Sequence, residues 1–459
     1  MKRILFIVST FSIFLFSCNN AQTQAGQPTN NKNKNENIKP VYPKLAASDI
    51  IYEVNIRQHT LDGTIKAFMD DMERLHDMGV DMLWIMPVQP IGVKNRKGEL
   101  GSYYSIQDYK KVNPEFGTME DFKALVNKAH EMDMKVILDW VPNHTAWDHP
   151  WITEHPEYYE QNDQGEIIYE ADWTDIALLD HTNPETRKAM IEEMKYWVSE
   201  TDLDGFRCDH PIHDIPMYFW EEATEELDQM KDLFWLAEVD EPRAHLEFDA
   251  TYAWGLLGVT NEVGEDKKPG KEIAEYIEND QEKYGRKPFR LTMTTNHDVN
   301  SWEGTVFERY GEGYKTFAAM TFTAYGMPML YSGQEAGMDK RLKFFDKDTI
   351  DWTDENNYQD FFTKLIEIHT DNEALHAGEY GGITVHINND EEVYAFKREK
   401  NGNQVIGIFN FSGEPQTMNL TDASVAGNYN DEFTGKEVSL TVDQPLNLQP
   451  WEYLILISK

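Results

Sequence analysis

Between residues 50 and 333 the chain repeats one pattern. A short apolar run is followed by a stretch with apolar residues at helical spacing. The runs are IIYEVNI (50–56), DMLWIMP (81–87), KVILDWV (135–141), LDGFRCD (203–209), DLFWLAEV (232–239), EFDATYA (247–253), FRLTMTT (289–295) and GMPMLYSG (326–333). Runs this short and this continuously apolar read as strands buried on both faces, and alternation with helices makes them parallel. Eight such units predict a (β/α)8 barrel. The alternative is an open doubly wound sheet. No Gly-rich phosphate loop follows any of the runs, which argues against a nucleotide-binding version of that alternative. Helices are predicted over 64–79, over 118–133 with Thr118 and Asp121 at its start, and over 183–200 with Pro184 in its first turn.

Two connections are long, 87–117 and 142–183. Long connections in a compact domain are usually functional, and in a barrel those that follow strands lie over the active face. Beyond 375 the texture changes to alternating segments such as GITVHINNDEEVYAFKRE, NQVIGIFNFS and YLILISK, the pattern of an antiparallel β-sandwich domain. The expected organisation is therefore a barrel over 46–375, with a short loop domain at about 142–183, and a C-terminal β domain over 376–459.

The first 45 residues have a different composition. A basic MKR start, the apolar run ILFIVSTFSIFLF and LFSC ending at Cys18 resemble a bacterial lipoprotein signal. The run is shorter than the ~20 residues a spanning helix needs. An ordinary signal peptide cut nearby is the alternative, and both readings mean export. Residues 19–45 are rich in Asn, Gln, Lys and Thr and read as a flexible tether. An acylated Cys18 would leave the second cysteine, Cys208, without a disulfide partner, as a small packed side chain. The formal net charge of −39 opposes binding to nucleic acid or to an anionic membrane surface, so membrane association is expected only through Cys18.

Polar residues gather where the strands end. Asp139 lies in the third run, with Asn143 and His144 just after it. Arg207 and Asp209 close the fourth, Glu238 the fifth, and Asn296, His297 and Asp298 follow the seventh. A barrel brings the carboxyl ends of its strands to one rim. Asp209, Glu238 and Asp298 would then share a pocket with Arg207 and two histidines. Three carboxylates forced together cost stability unless they perform chemistry. An ion pair with Arg207 accounts for one acid, not three.

These segments carry a family resemblance. LDWVPNHTA, GFRCDH, WLAEVD and TTNHDVN are similar, in order, to the four short regions of the α-amylase family of glycoside hydrolases (family 13), and GSYYSIQDYKKVNPEFGT resembles the segment after that family's second strand. The resemblance covers about 48–375. It implies a retaining hydrolase of α-1,4-glucosidic bonds in starch, maltodextrin or maltooligosaccharides. It assigns Asp209 as nucleophile, Glu238 as general acid and base, and Asp298 as the carboxylate that stabilises the distorted sugar. Arg207 would keep Asp209 ionised, and His144 and His297 would donate hydrogen bonds to the sugar. Tyr104 would be the aromatic floor beneath it. Glu238, flanked by Trp235, Leu236, Ala237 and Val239, is expected to be held partly protonated by an apolar setting.

Other residues read more plainly. Asp139 is expected to be a structural hydrogen-bonder, and His210 and His213 to support the site or touch sugar rather than bind metal. Trp302, Trp147 and Trp254 are either sugar platforms or core. Many family members hold a structural calcium, with one ligand at the position of Asn143 and another at a position that is Leu178 here. A leucine does not ligate calcium, so no metal or other cofactor is expected. A neopullulanase- or cyclomaltodextrinase-like hydrolase, or an α-glucan transglycosylase, would use the same residues. A non-catalytic glucan-binding lipoprotein would be expected to have lost at least one of the three carboxylates, and all three are present.

Overall fold

A computed structural model describes residues 46–457. The signal and tether expected over 1–45 lie outside the described residues. Eight strands form a closed parallel barrel. They are β1 (Ile51–Val54), β2 (Met82–Ile85), β3 (Lys135–Trp140), β4 (Gly205–Cys208), β5 (Phe234–Ala237), β6 (Ala250–Tyr252), β7 (Phe289–Thr292) and β8 (Met327–Tyr331). Each pairs in parallel with its sequence neighbours, and β8 closes on β1 through Ile51 opposite Met329. All eight predicted runs are strands, one to four residues shorter than the apolar pattern suggests.

Alternation along each strand sorts the side chains into two layers. Ile51, Met82, Trp84, Ile137, Phe234, Leu236, Ala250, Tyr252, Phe289, Leu291 and Met327 pack together inside the barrel. Tyr52, Leu83, Ile85, Leu138, Trp140, Phe206 and Cys208 point outward into the larger core shared with the helices. Gly205 is required where β4 meets β5, because a Cβ there would run into the Phe234 carbonyl. Cys208 is fully buried on the outer layer, and burial pushes its thiol well above the usual range, so it is inert packing.

The helix over 118–133 forms at Met119–Glu131 with a reciprocal cap between Thr118 and Asp121. Pro184–Thr201 begins with the Asn183 side chain accepting from the Glu185 N–H and ends at Asp202 in the left-handed region. The helix expected over 64–79 is instead two, Ile65–Met69 and Met72–Asp77. The break falls at Asp70 and Asp71, where the Asp71 carboxylate is drawn to His59 Nε2 at 2.7 Å and to Arg74. A tertiary contact here overrides the helical periodicity.

The 142–183 connection folds around a two-stranded hairpin, His144–Ala146 with Ile176–Leu178, and a short helix, Trp151–Glu154. Beyond the helix Tyr358–Asp371, the chain forms a six-stranded antiparallel sheet and a separate strand pair, Gln416–Met418 with Leu446–Leu448. Ile387, Val393, Ala395, Ile406, Ile408, Met418, Leu448 and Leu456 form their shared core, which fits the expected β-sandwich. Among the described residues no helix is long and apolar enough to cross a membrane.

Candidate active site

The inward-pointing register of the barrel delivers charged side chains to its carboxyl-end rim. Arg207 and Asp209 sit two apart on β4 and its exit, so they share the inner face while Cys208 faces out. Glu53 points inward from β1, Asp139 belongs to β3, and Glu238 follows β5. His297 and Asp298 follow β7.

Arg207 is fully buried and touches three carboxylates. Its Nη1 lies 2.9 Å from Asp139 and 3.1 Å from Asp209, and its Nη2 lies 3.0 Å from Glu238. Its Nε donates to the Tyr252 hydroxyl at 3.2 Å, and the guanidinium lies over the Trp84 ring at 4.8 Å. Arg207 is therefore a hub for the rim rather than the private partner of Asp209. The consequence shows in Asp209. Burial raises its carboxyl to about 7, aided by the charges of Glu238 and Asp139, against the opposing pull of His210 and Arg207. Asp209 and Glu238 each place a carboxylate oxygen within 4.8 Å of the other.

The expectation of an apolar setting for Glu238 is corrected by these contacts. Its carboxylate meets Arg207 and accepts the His210 backbone N–H at 3.2 Å. The flanking Trp235 and Ala237 point out of the barrel, away from the carboxylate.

Asp139 is fully buried and raised by burial. It accepts from Arg207, from Trp84 Nε1 at 3.1 Å and from the Tyr104 hydroxyl at 3.0 Å, the structural hub the sequence suggested. Tyr104, from the 87–117 loop, stacks on His297 with ring centroids 5.4 Å apart at 21°. His297 is clamped between two acids: Nδ1 lies 2.5 Å from Glu53 and Nε2 lies 3.3 Å from Asp298. Burial opposes its charge, but Asp298 and Glu53 outweigh it and hold the imidazole protonated well above its ordinary range. Asp298 in turn is held ionised at about 2; burial works against this and His297 overcomes it.

His144 reaches the same region with both ring nitrogens engaged, Nε2 with the Tyr104 carbonyl at 3.1 Å and Nδ1 with Asn143 Oδ1 at 3.1 Å. Burial lowers it to about 3, so it is neutral. In this structure its hydrogen bonds go to protein, whereas the sequence reading had it donating to sugar. All seven sequence-predicted residues thus lie on one rim, six of them joined by direct contacts and His144 through the Tyr104 backbone.

Sequence reasoning missed Glu53, Trp84 and Tyr252. The one available signal was a glutamate inside the otherwise apolar IIYEVNI. Of the three tryptophans in question, Trp302 is 55% exposed, while Trp254 stacks on Tyr252 at 5.0 Å and Trp147 is half-buried with Nε1 donating to the Thr174 carbonyl.

The residues at the implied calcium position do not fit that ion. Asn143 Nδ2 donates to the His213 carbonyl at 2.9 Å and its Oδ1 faces His144. Leu178 is buried in the hairpin opposite His144. An amide already committed and an apolar side chain leave too few oxygen donors.

The family model described as "Alpha amylase, catalytic domain" matches residues 27–173 and 160–375. This chain belongs to the alpha-amylase family. It is similar to alpha-amylase 2 of Dictyoglomus thermophilum, 23% identical over 413 residues that cover 84% of this chain and 70% of that protein. Among solved structures it resembles the noncanonic maltogenic alpha-amylase AmyB of Thermotoga neapolitana, with a TM-score of 0.82, 29% identity, and coverage of 90% of this chain and 98% of that one. An alpha-amylase from Lactobacillus plantarum superposes with a TM-score of 0.79 at 26% identity, covering 90% and 99%. The chain is a glycoside hydrolase of the alpha-amylase type.

Proposed function

We propose that this alpha-amylase-family hydrolase cleaves α-1,4-glucosidic bonds of starch-like glucans and maltooligosaccharides with retention of configuration. The observation that carries the reading is the Asp209–Glu238 pair, with oxygens within 4.8 Å and Arg207 spanning both. Retaining glycosidases hold their two carboxyls about 5–5.5 Å apart, and inverting ones leave room for a water at ~6.5–9.5 Å.

In the first step an Asp209 carboxylate oxygen attacks the anomeric carbon. The bond from that carbon to the glycosidic oxygen breaks, and Glu238 gives its proton to the departing oxygen. In the second step Glu238, now ionised, takes a proton from water. The water oxygen bonds to the anomeric carbon and Asp209 leaves with its electron pair. The proton that Glu238 gives up in the first step is restored from water in the second, so the pair ends as it began. Asp298, ionised and half-exposed, would accept hydroxyl hydrogen bonds from the sugar. Tyr104 would support the ring from below.

The substrate reading also draws on aromatic surface. Phe344 stacks on Tyr104 at 15°, and Trp302 lies 5.3 Å beyond Phe344, so rings lead outward from the carboxylates. Aromatic faces suit the apolar faces of pyranose rings. A neopullulanase- or cyclomaltodextrinase-like preference, or transglycosylation, would use the same chemistry with a different acceptor or linkage.

A product time course on soluble starch, maltoheptaose, pullulan and cyclodextrin, with Glu238→Gln as control, tests the proposal. Mixed maltooligosaccharides of α configuration, lost in the variant, are expected. Panose or rapid ring opening would move the assignment to the alternative. No product from any glucan by folded protein would overturn it. We propose also that the chain is exported and lipid-anchored at Cys18, a reading supported by the basic start, the short apolar run and the polar tether.

A further inference from the structure

The rim of the barrel carries more negative charge than its cations match. Arg207 alone serves Asp139, Asp209 and Glu238, and His297 serves Glu53 and Asp298. That is two cations against five carboxylates, and every shortfall of charge removed from water is costly. A third basic side chain stands at the most crowded point. His210 follows Asp209 directly, and one of its ring nitrogens lies within 4.8 Å of carboxylate oxygens from both Asp209 and Glu238.

The backbone is committed to the same place. His210 has φ of +41°, on the left-handed side that non-glycine residues uncommonly adopt. In that conformation its N–H points to Glu238 Oε2 at 3.2 Å. The imidazole is walled by Trp173 from the 142–183 loop at 5.3 Å and by His213 at 5.9 Å.

We propose that His210 is a positioning residue whose imidazolium offsets the charge of the Asp209–Glu238 pair and so sets the acidic limit of activity. The proposal rests on the reading of that pair as the reacting carboxylates. The groups facing His210 are Glu238 from the end of β5, Asp209 and Arg207 from β4, Asp298 from the β7 exit, the neutral His144, and the nearby His213. Burial disfavours its charge, but Glu238, Asp209 and Asp298 outweigh burial and Arg207 together, and its proton is held more tightly than usual. His210 and Arg207 both favour the ionised nucleophile.

The sign follows directly. Without the imidazolium, Asp209 binds its proton more tightly, so a higher pH is needed to free the nucleophile. The acidic limb of kcat/KM moves up. His210→Asn and His210→Gly both accept left-handed backbone, so neither introduces new strain. The pH profile of each, measured on maltoheptaose beside the parent, is expected to show the acidic limb raised by at least about half a unit, with added imidazole moving it back in the glycine variant. A limb unmoved in both variants, even with kcat reduced, would make His210 purely structural and overturn the proposal. An inactive parent would defeat the functional reading instead, and the His210 ring, followed by NMR through a pH titration, then decides. A midpoint above the ordinary ~6.5 supports the charge role, and one at or below it overturns it.

Discussion

At the residue scale, the site is organised by competition for charge. Asp209 shows how a group suited to chemistry weakens the fold. Its carboxyl has an ordinary value of 3.8 and is raised in the folded protein to about 7. Below about pH 4 it is protonated both folded and unfolded and contributes nothing. As pH rises from 4 to 7 the unfolded chain releases the proton before the folded one does, so stability falls, and the full penalty remains above 7. Asp209→Asn removes the penalty along with the nucleophile. Thermal melts should place the variant about 2 °C above the parent at pH 8, a gain of about 1 kcal/mol, and level with it at pH 4. A variant that melts lower at pH 8 would contradict this electrostatic account. Glu53 belongs to the same economy: fully buried, it holds His297 charged, and nothing about a single glutamate in an apolar strand says which histidine, 244 positions away, it will meet.

At the scale of elements, loops rather than strands shape the cleft. Tyr104 arrives on the 87–117 connection, Trp173 on the 142–183 connection, and Trp302 on a short wide-turned helix, Val299–Glu303, directly after Asp298. That helix presents an exposed indole against Phe344 and Phe345 instead of burying it. If it is a sugar platform, Trp302→Ala should raise KM for maltoheptaose about 3–10-fold, from the loss of about 0.5–1.5 kcal/mol of ring contact. The KM for maltotriose, too short to reach that far from the carboxylates, should move far less. Equal effects on both substrates would place the indole elsewhere in recognition. The strands and the four motif segments were legible because their spacing is local. The stacking order Tyr104, Phe344, Trp302 was not, since Phe344 comes from the segment after β8 and carries no motif.

At the scale of the whole molecule, the barrel and β-sandwich meet through buried contacts. Arg398 reaches from the sandwich to the carbonyls of Leu375 and His376, and Phe317 packs on Phe411 at 4.7 Å. The anchor proposed at Cys18 belongs to this scale too, since it would tie an acidic chain of net charge −39 to a membrane. Cells expressing the full chain and fed labelled palmitate should label it, and Cys18→Ser should abolish the label and release the protein. Label retained in Cys18→Ser would remove the anchor reading. The sequence by itself determined the eight strands, their parallel order, the inward face that carries Arg207 and Asp209, and the three carboxylates at strand ends. Each of these follows from a period of two or from local composition. Only the tertiary structure decided that Arg207 is shared among three acids, that Asp71 splits a helix, that His144 spends its hydrogen bonds on protein, and that His210 faces both reacting carboxylates. Those outcomes depend on distances between groups far apart in the chain, and Coulomb and hydrogen-bond energies are set by distance and burial, which no one-dimensional pattern records.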